Sequence, residues 1–214
     1  MNRPPPPPTP TRPAGPLWTV ELRWFVDGAL PDHVGRWFVT ALPGAVRQQS
    51  RTDTYAHVDS DALSVKLRAG LLEAKGRLER REPVAVMAGL VGHPERWVKW
   101  SVPGPSGPVG TPRDGFWVHQ VTKRRAWADL TAGAVGTCAC FAELTELSLR
   151  EGAAWTLAAE SAGAGATAEE LTAALARAFV EPPPVALGAD RSMGYPAWLR
   201  TRRPADGSAD DRDR

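Results

Sequence analysis

Lysine, arginine and glutamate recur at every second residue in four separate stretches of this chain. Glu21 and Arg23 alternate with Val20, Leu22 and Trp24. Lys66 and Arg68 alternate with Val65 and Leu67, and Glu73 and Lys75 alternate with Leu72 and Ala74. Lys123 and Arg125 share one face of a fourth stretch, Val121–Arg125. A strand turns successive side chains to opposite faces, so each stretch has one apolar face that must be covered and one charged face. The charged faces carry mixed charge with a cationic majority. Closed into a barrel, such a face lines a tunnel that focuses positive field on a polyanion. Left on an open sheet, the same residues would make only cross-strand salt pairs, each worth roughly 0.2–1 kcal/mol.

Bulk properties narrow the field. The chain has 214 residues and a formal net charge of +2. That balance does not suit a protein that coats duplex nucleic acid, so anion binding must come from local concentration of cations. No run of about 18 apolar residues occurs, which excludes a helical membrane span. The first residues lack the apolar segment of a secretory signal, so the cytoplasm is the expected location. Cys138 and Cys140 lie two apart and, on a strand, share a face; they are expected to be reduced and structural. His119 falls on the face of Lys123, either as a general base or as a buried structural histidine.

These side chains need a sheet to hold them. Residues 1–16 are proline-rich and 201–214 are polar, and both are expected to be disordered tails around a domain at 17–200. Strands are expected at about 18–26, 51–58, 62–69, 71–79, 116–126, 137–149 and 154–160, with further extended segments at 84–90 and 97–102. Gly70 is expected to turn a hairpin, and Pro103–Gly115 to form a loop. A loop or short helix is expected at Pro31–Thr40. The best helix is Thr167–Phe179, opened by Thr167 with Glu170 three residues later in capping-box order. Sequential hairpins of this number favour an α+β fold: an antiparallel eight-stranded barrel, closed or nearly closed, with a few outer helices. Ser192–Leu199 reads as a compact final segment in which Tyr195 caps one mouth.

The order of the charged motifs resembles the triphosphate tunnel metalloenzyme superfamily, also called CYTH. The resemblance runs through Thr19-x-Glu21-x-Arg23, Asp53-Thr54-Tyr55, Val65-Lys66-Leu67-Arg68, Lys75, Lys123-Arg124-Arg125, Glu143 and Glu160, over about residues 18–199. It implies a site for a triphosphate, nucleotide or polyphosphate inside the tunnel. Arg23, Arg51, Lys66, Arg68, Lys75, Lys123 and Arg125 would hold phosphate oxygens. Glu21, Glu143 and Glu160 would hold Mg²⁺ or Mn²⁺, with Glu73 a further candidate. Lys75 and Glu21 would be the residues that turnover needs most. Phosphate chemistry of this kind rests on positioning and charge neutralisation, with the metal polarising a water or a phosphoryl oxygen.

Two positions depart from that pattern. Thr19 stands where the first strand should carry a second carboxylate, and Ala158 stands where the last should. Anion binding is therefore expected to survive more surely than hydrolysis. Three functions stay open on the sequence: a metal-dependent phosphohydrolase, a non-catalytic binder of nucleotide or polyphosphate, and a protein-interaction module. Trp97 and Trp100 bracket Lys99, as packing residues or as a platform for stacked bases.

Overall fold

The computed structural model describes residues 15–42, 44–104, 118–131 and 138–202. The tail expectations for 1–14 and 203–214, and most of the Pro103–Gly115 loop, lie outside the described residues. Eight strands close into one barrel: β1 (Leu17–Asp27), β2 (Arg47–Ala56), β3 (Leu63–Arg68), β4 (Leu71–Arg80), β7 (Glu95–Pro103), β8 (Val118–Asp129), β9 (Ala139–Leu149) and β10 (Gly152–Ala162). Around the barrel the order is β1-β10-β9-β8-β2-β3-β4-β7, and every pairing is antiparallel. Two short strands, β5 (Val84–Met87) and β6 (Leu90–Gly92), form a separate hairpin. The expected barrel is thus present and fully closed.

Closure gives the two faces of each strand different fates. Outward side chains of β1, β9 and β10, among them Leu22, Trp24, Leu144, Trp155 and Leu157, are buried in one apolar core. That core is covered by α1 (Asp32–Ala41) and α2 (Ala168–Ala178). α1 contributes Val34, Trp37, Phe38 and Ala41, the i, i+3, i+4, i+7 stripe of an amphipathic helix. α2 begins where the capping box places it, with the Thr167 hydroxyl accepting the Glu170 amide at 3.1 Å. Trp37 stacks on Phe179 at the seam between the helices, centroids 4.8 Å apart. The outer face of β3, β4 and β7 has no such cover among the described residues, and Leu72, Leu78, Trp100 and Val102 are exposed there.

A second, smaller core stoppers one end of the barrel. Phe25, Tyr55, Val121, Leu147 and Ala154 point inward there and meet Trp198 and Leu199 of α3 (Tyr195–Arg200). Phe25 and Trp198 are stacked with centroids 4.5 Å apart and planes 12° from parallel. The chain enters α3 through Gly194, where a Cβ would meet the Trp97 ring at 2.7 Å and the Glu95 carboxylate at 2.9 Å. Only glycine permits that approach.

Two details correct the sequence reading. β2 begins at Arg47, four residues earlier than expected, because its first residues Arg47–Ser50 are exposed and lack an apolar alternation. The β3–β4 hairpin turns on Ala69 as well as Gly70, both with positive φ (48° and 77°), the geometry that matches strand twist in a two-residue hairpin. The compact final segment, expected to cap one mouth, is α3 and packs at the stoppered end.

Candidate anion site in the barrel lumen

Inward parity carries charged residues from all eight barrel strands into one cavity of about 300 Å³. Its cations are Arg23, Arg51, Lys66, Arg68, Lys75, Lys99, Lys123 and Arg125, and its carboxylates are Glu21, Glu73, Glu143 and Glu160. Every residue picked out from the sequence as a phosphate or metal contact therefore lines the same space. The charged faces point inward, not to solvent.

The lumen is built from three ion-pair groups. The deepest is centred on Asp53, which has no exposed surface. Its carboxylate takes Lys123 at 3.0 Å, Arg51 at 3.1 Å and Lys66 at 3.2 Å. Lys123 also donates to the Tyr55 hydroxyl at 2.7 Å, and the Tyr195 ring lies 3.8 Å from its ammonium. Burial pushes the Asp53 carboxyl up, but Lys123, Lys66 and Arg51 outweigh it and hold it well below the usual range. The lysines pay for that arrangement: burial drives Lys123 well below its ordinary pKa, with Lys66 adding to the effect, and burial also lowers Lys66.

Two strands away around the barrel, on β9, Glu143 accepts from Arg125 Nε at 2.7 Å and from the Thr145 hydroxyl at 2.8 Å, with Arg23 at 3.4 Å. Burial raises its carboxyl, yet Arg23 and Arg125 hold it far down. Arg23 is raised in turn, chiefly by Glu143, against the opposing pull of burial. Glu73, on β4, extends the Asp53 group through the shared Lys66 at 3.3 Å and adds Lys99 at 3.7 Å and Arg68 at 3.8 Å.

The third group holds two carboxylates in unequal states. Glu21 is bound by Lys75 and by the Thr19 hydroxyl at 3.0 Å. Burial raises it, but Lys75 and Arg23 bring it down to about 2. Glu160 is its direct cross-strand partner. Among the described residues Glu160 has no cation within 4.0 Å, and burial together with Glu21 pushes its carboxyl up.

Other residues of the lumen carried weaker signals in the sequence. Lys99 lies two residues beyond Trp97, so alternation alone could have assigned it inward. Asp53 stood only as part of the Asp-Thr-Tyr motif, and nothing local marks it as the hub of three cations. Among the described residues no three His, Cys, Asp or Glu side chains gather as a metal cluster, and Glu143 is paired with Arg23 and Arg125. His119 is buried and does not line the cavity. Trp97 is 1% exposed and points inward, whereas Trp100 is 48% exposed on the outer face, so the two form no platform. Cys138 and Cys140 are buried free thiols.

No family model matches this chain, and no curated protein matches it in sequence. Among solved structures, the chain is similar to the RNA triphosphatase Pct1 of S. pombe, in a complex with the Spt5 CTD. The identity is 10%, the TM-score is 0.39, and the match covers 69% of this chain and 72% of that one.

Proposed function

We propose that the barrel binds a triphosphate or short polyphosphate in its lumen. One observation carries this reading: eight cationic side chains line a stoppered cavity against four carboxylates, with Asp53 behind them as a fifth. Burying that many charges is costly, and ion pairs alone seldom recover the cost. A chain that keeps a cationic surplus in a low-dielectric lumen has a site whose natural complement is a multiply charged anion. The sequence order of the charged strands, with its resemblance to triphosphate tunnel enzymes, points the same way.

The donor set also fits a divalent ion. Among the described residues Glu160 has no cation within 4.0 Å and stands opposite Glu21, and magnesium needs only one or two carboxylates when a phosphate supplies further oxygens. A metal there would neutralise charge on a phosphoryl group and polarise water. Lys75 and Arg23 flank the pair and would orient the adjacent phosphate. A purely binding role is the second reading, favoured by Thr19 and Ala158, which supply no carboxylate, and by the engagement of Glu143 with arginines.

Thermal melting against tripolyphosphate, with and without Mg²⁺, tests the proposal. A ligand of the native state must raise the melting temperature. A shift that Mg²⁺ enlarges, followed by phosphate release, supports the hydrolase; a metal-independent shift without release supports the binder. No shift at millimolar tripolyphosphate would overturn both.

A further inference from the structure

The charged lumen does not end in charge. Toward the open mouth it continues into a recess of about 300 Å³ that shares Arg23, Arg68, Arg125, Glu143 and Glu160 with it and adds Trp127, Phe141 and Ala158. Trp127 and Phe141 come from β8 and β9 and meet edge to face, centroids 5.8 Å apart at 73°. Both are half-buried, so each keeps surface in the recess. Trp127 follows Arg125 by two residues on the same face, which places them about 7 Å apart along the strand. Ala158, on β10, is the cross-strand partner of Glu143, which in turn faces Trp127 across β9 and β8. The position that could have held another carboxylate is thus a methyl group beside the aromatic pair.

We propose that the anion is a nucleoside triphosphate, with its phosphates among the lumen cations and its base against Trp127 and Phe141. The inference rests on the triphosphate reading above. A bare polyphosphate has nothing to place in an apolar recess, and aromatic faces at a cationic mouth are suited to a stacked heterocycle. A phosphate held by Arg125 and Arg23 leaves a sugar the span between Arg125 and Trp127. Arg47 already lies 5.1 Å over the Trp127 ring, so that ring already takes part in one stacking contact.

The test measures dissociation constants of the full chain for ATP, GTP, UTP, thiamine triphosphate and tripolyphosphate, then repeats them with W127A and F141A. Base stacking of ordinary strength predicts that W127A weakens ATP by about five-fold or more, while tripolyphosphate stays within about two-fold. The native chain should also bind nucleotides more tightly than tripolyphosphate. Tripolyphosphate bound as tightly as the nucleotides, or a nucleotide preference untouched by both substitutions, would overturn the base site while leaving the anion site standing. Binding of none of the five would remove the anion site itself. If a variant melts early without ligand, W127F and the native ligand order decide the matter.

Discussion

Glu21 and Glu160 stand directly opposite each other on β1 and β10, and among the described residues only Glu21 has a cation within 4.0 Å. The pair is therefore polarised: one carboxylate is held firmly ionised, and the other is pushed toward its protonated form by burial and by its neighbour. A carboxyl whose folded pKa lies above its ordinary 4.5 contributes to stability while protonated, and that contribution is lost as pH rises from 4.5 through the folded value. Glu160→Gln removes this loss. The ligand-free variant should melt higher than the native chain at neutral pH, by an amount that shrinks as pH falls from about 7 to about 4. Melting curves across that range, without divalent ions, decide it; a variant less stable than the native chain at pH 7 would contradict the polarised pair.

Asp53 is the counter-charge of the deepest cations. Removing it leaves Lys66, Lys123 and Arg51 facing one another without a buried carboxylate between them. Asp53→Ala should cost about 3–5 kcal/mol in urea unfolding, the usual penalty for breaking a buried pair from one side. Tripolyphosphate should restore part of that loss, because an anion in the lumen can take over the partnership. A cost below about 1 kcal/mol would mean that water solvates the three cations freely.

The sequence reading succeeded where a local period of two carried the information. Arg23, Lys66, Arg68, Lys75, Lys123 and Arg125 each sit two residues from another charged or apolar marker, and each lines the lumen. Lys99 was harder because Trp97 and Trp100 place an aromatic on each face of β7, which hides the polar side. Arg47–Ser50 shows no alternation because both faces of β2 are wet near the mouth. The stopper depends on contacts between distant segments: nothing near Trp198 announces Phe25, and nothing near Asp53 announces Lys123. Trp127 and Phe141 likewise meet only through the pairing of β8 with β9.

Anion binding should draw protons into the barrel. Lys123 and Lys66 are depressed by burial, and Lys66 depresses Lys123 further. A bound phosphate favours their charged forms, so their pKa values rise on binding. Affinity for tripolyphosphate should consequently fall with rising pH below the range of an ordinary lysine. Calorimetric titrations from about pH 7 to about pH 10, in buffers of different ionisation enthalpy, measure this directly. Equal heats in every buffer and an affinity flat in pH would show that both lysines are fully charged before the anion arrives.

The stopper makes opposite demands on its two aromatic residues. Trp198 is 3% exposed and stacks on Phe25, so Trp198→Ala leaves a cavity at the closed end and should cost about 3–5 kcal/mol. Tyr195 contributes through its ring, which stacks with Tyr55 at 5.5 Å and lies over Lys123 at 3.8 Å. Its hydroxyl is buried and has no hydrogen-bond partner among the described residues, while burial keeps it protonated. Tyr195→Phe keeps the ring and removes an unsatisfied polar atom, so stability should stay within about 0.5 kcal/mol or rise. Tyr195→Leu loses the cation–π contact and should fall by about 0.5–2 kcal/mol. Urea unfolding of the three variants ranks them. A Tyr195→Phe loss as large as that of Trp198→Ala would show that the hydroxyl, not the ring, holds the end of the barrel closed.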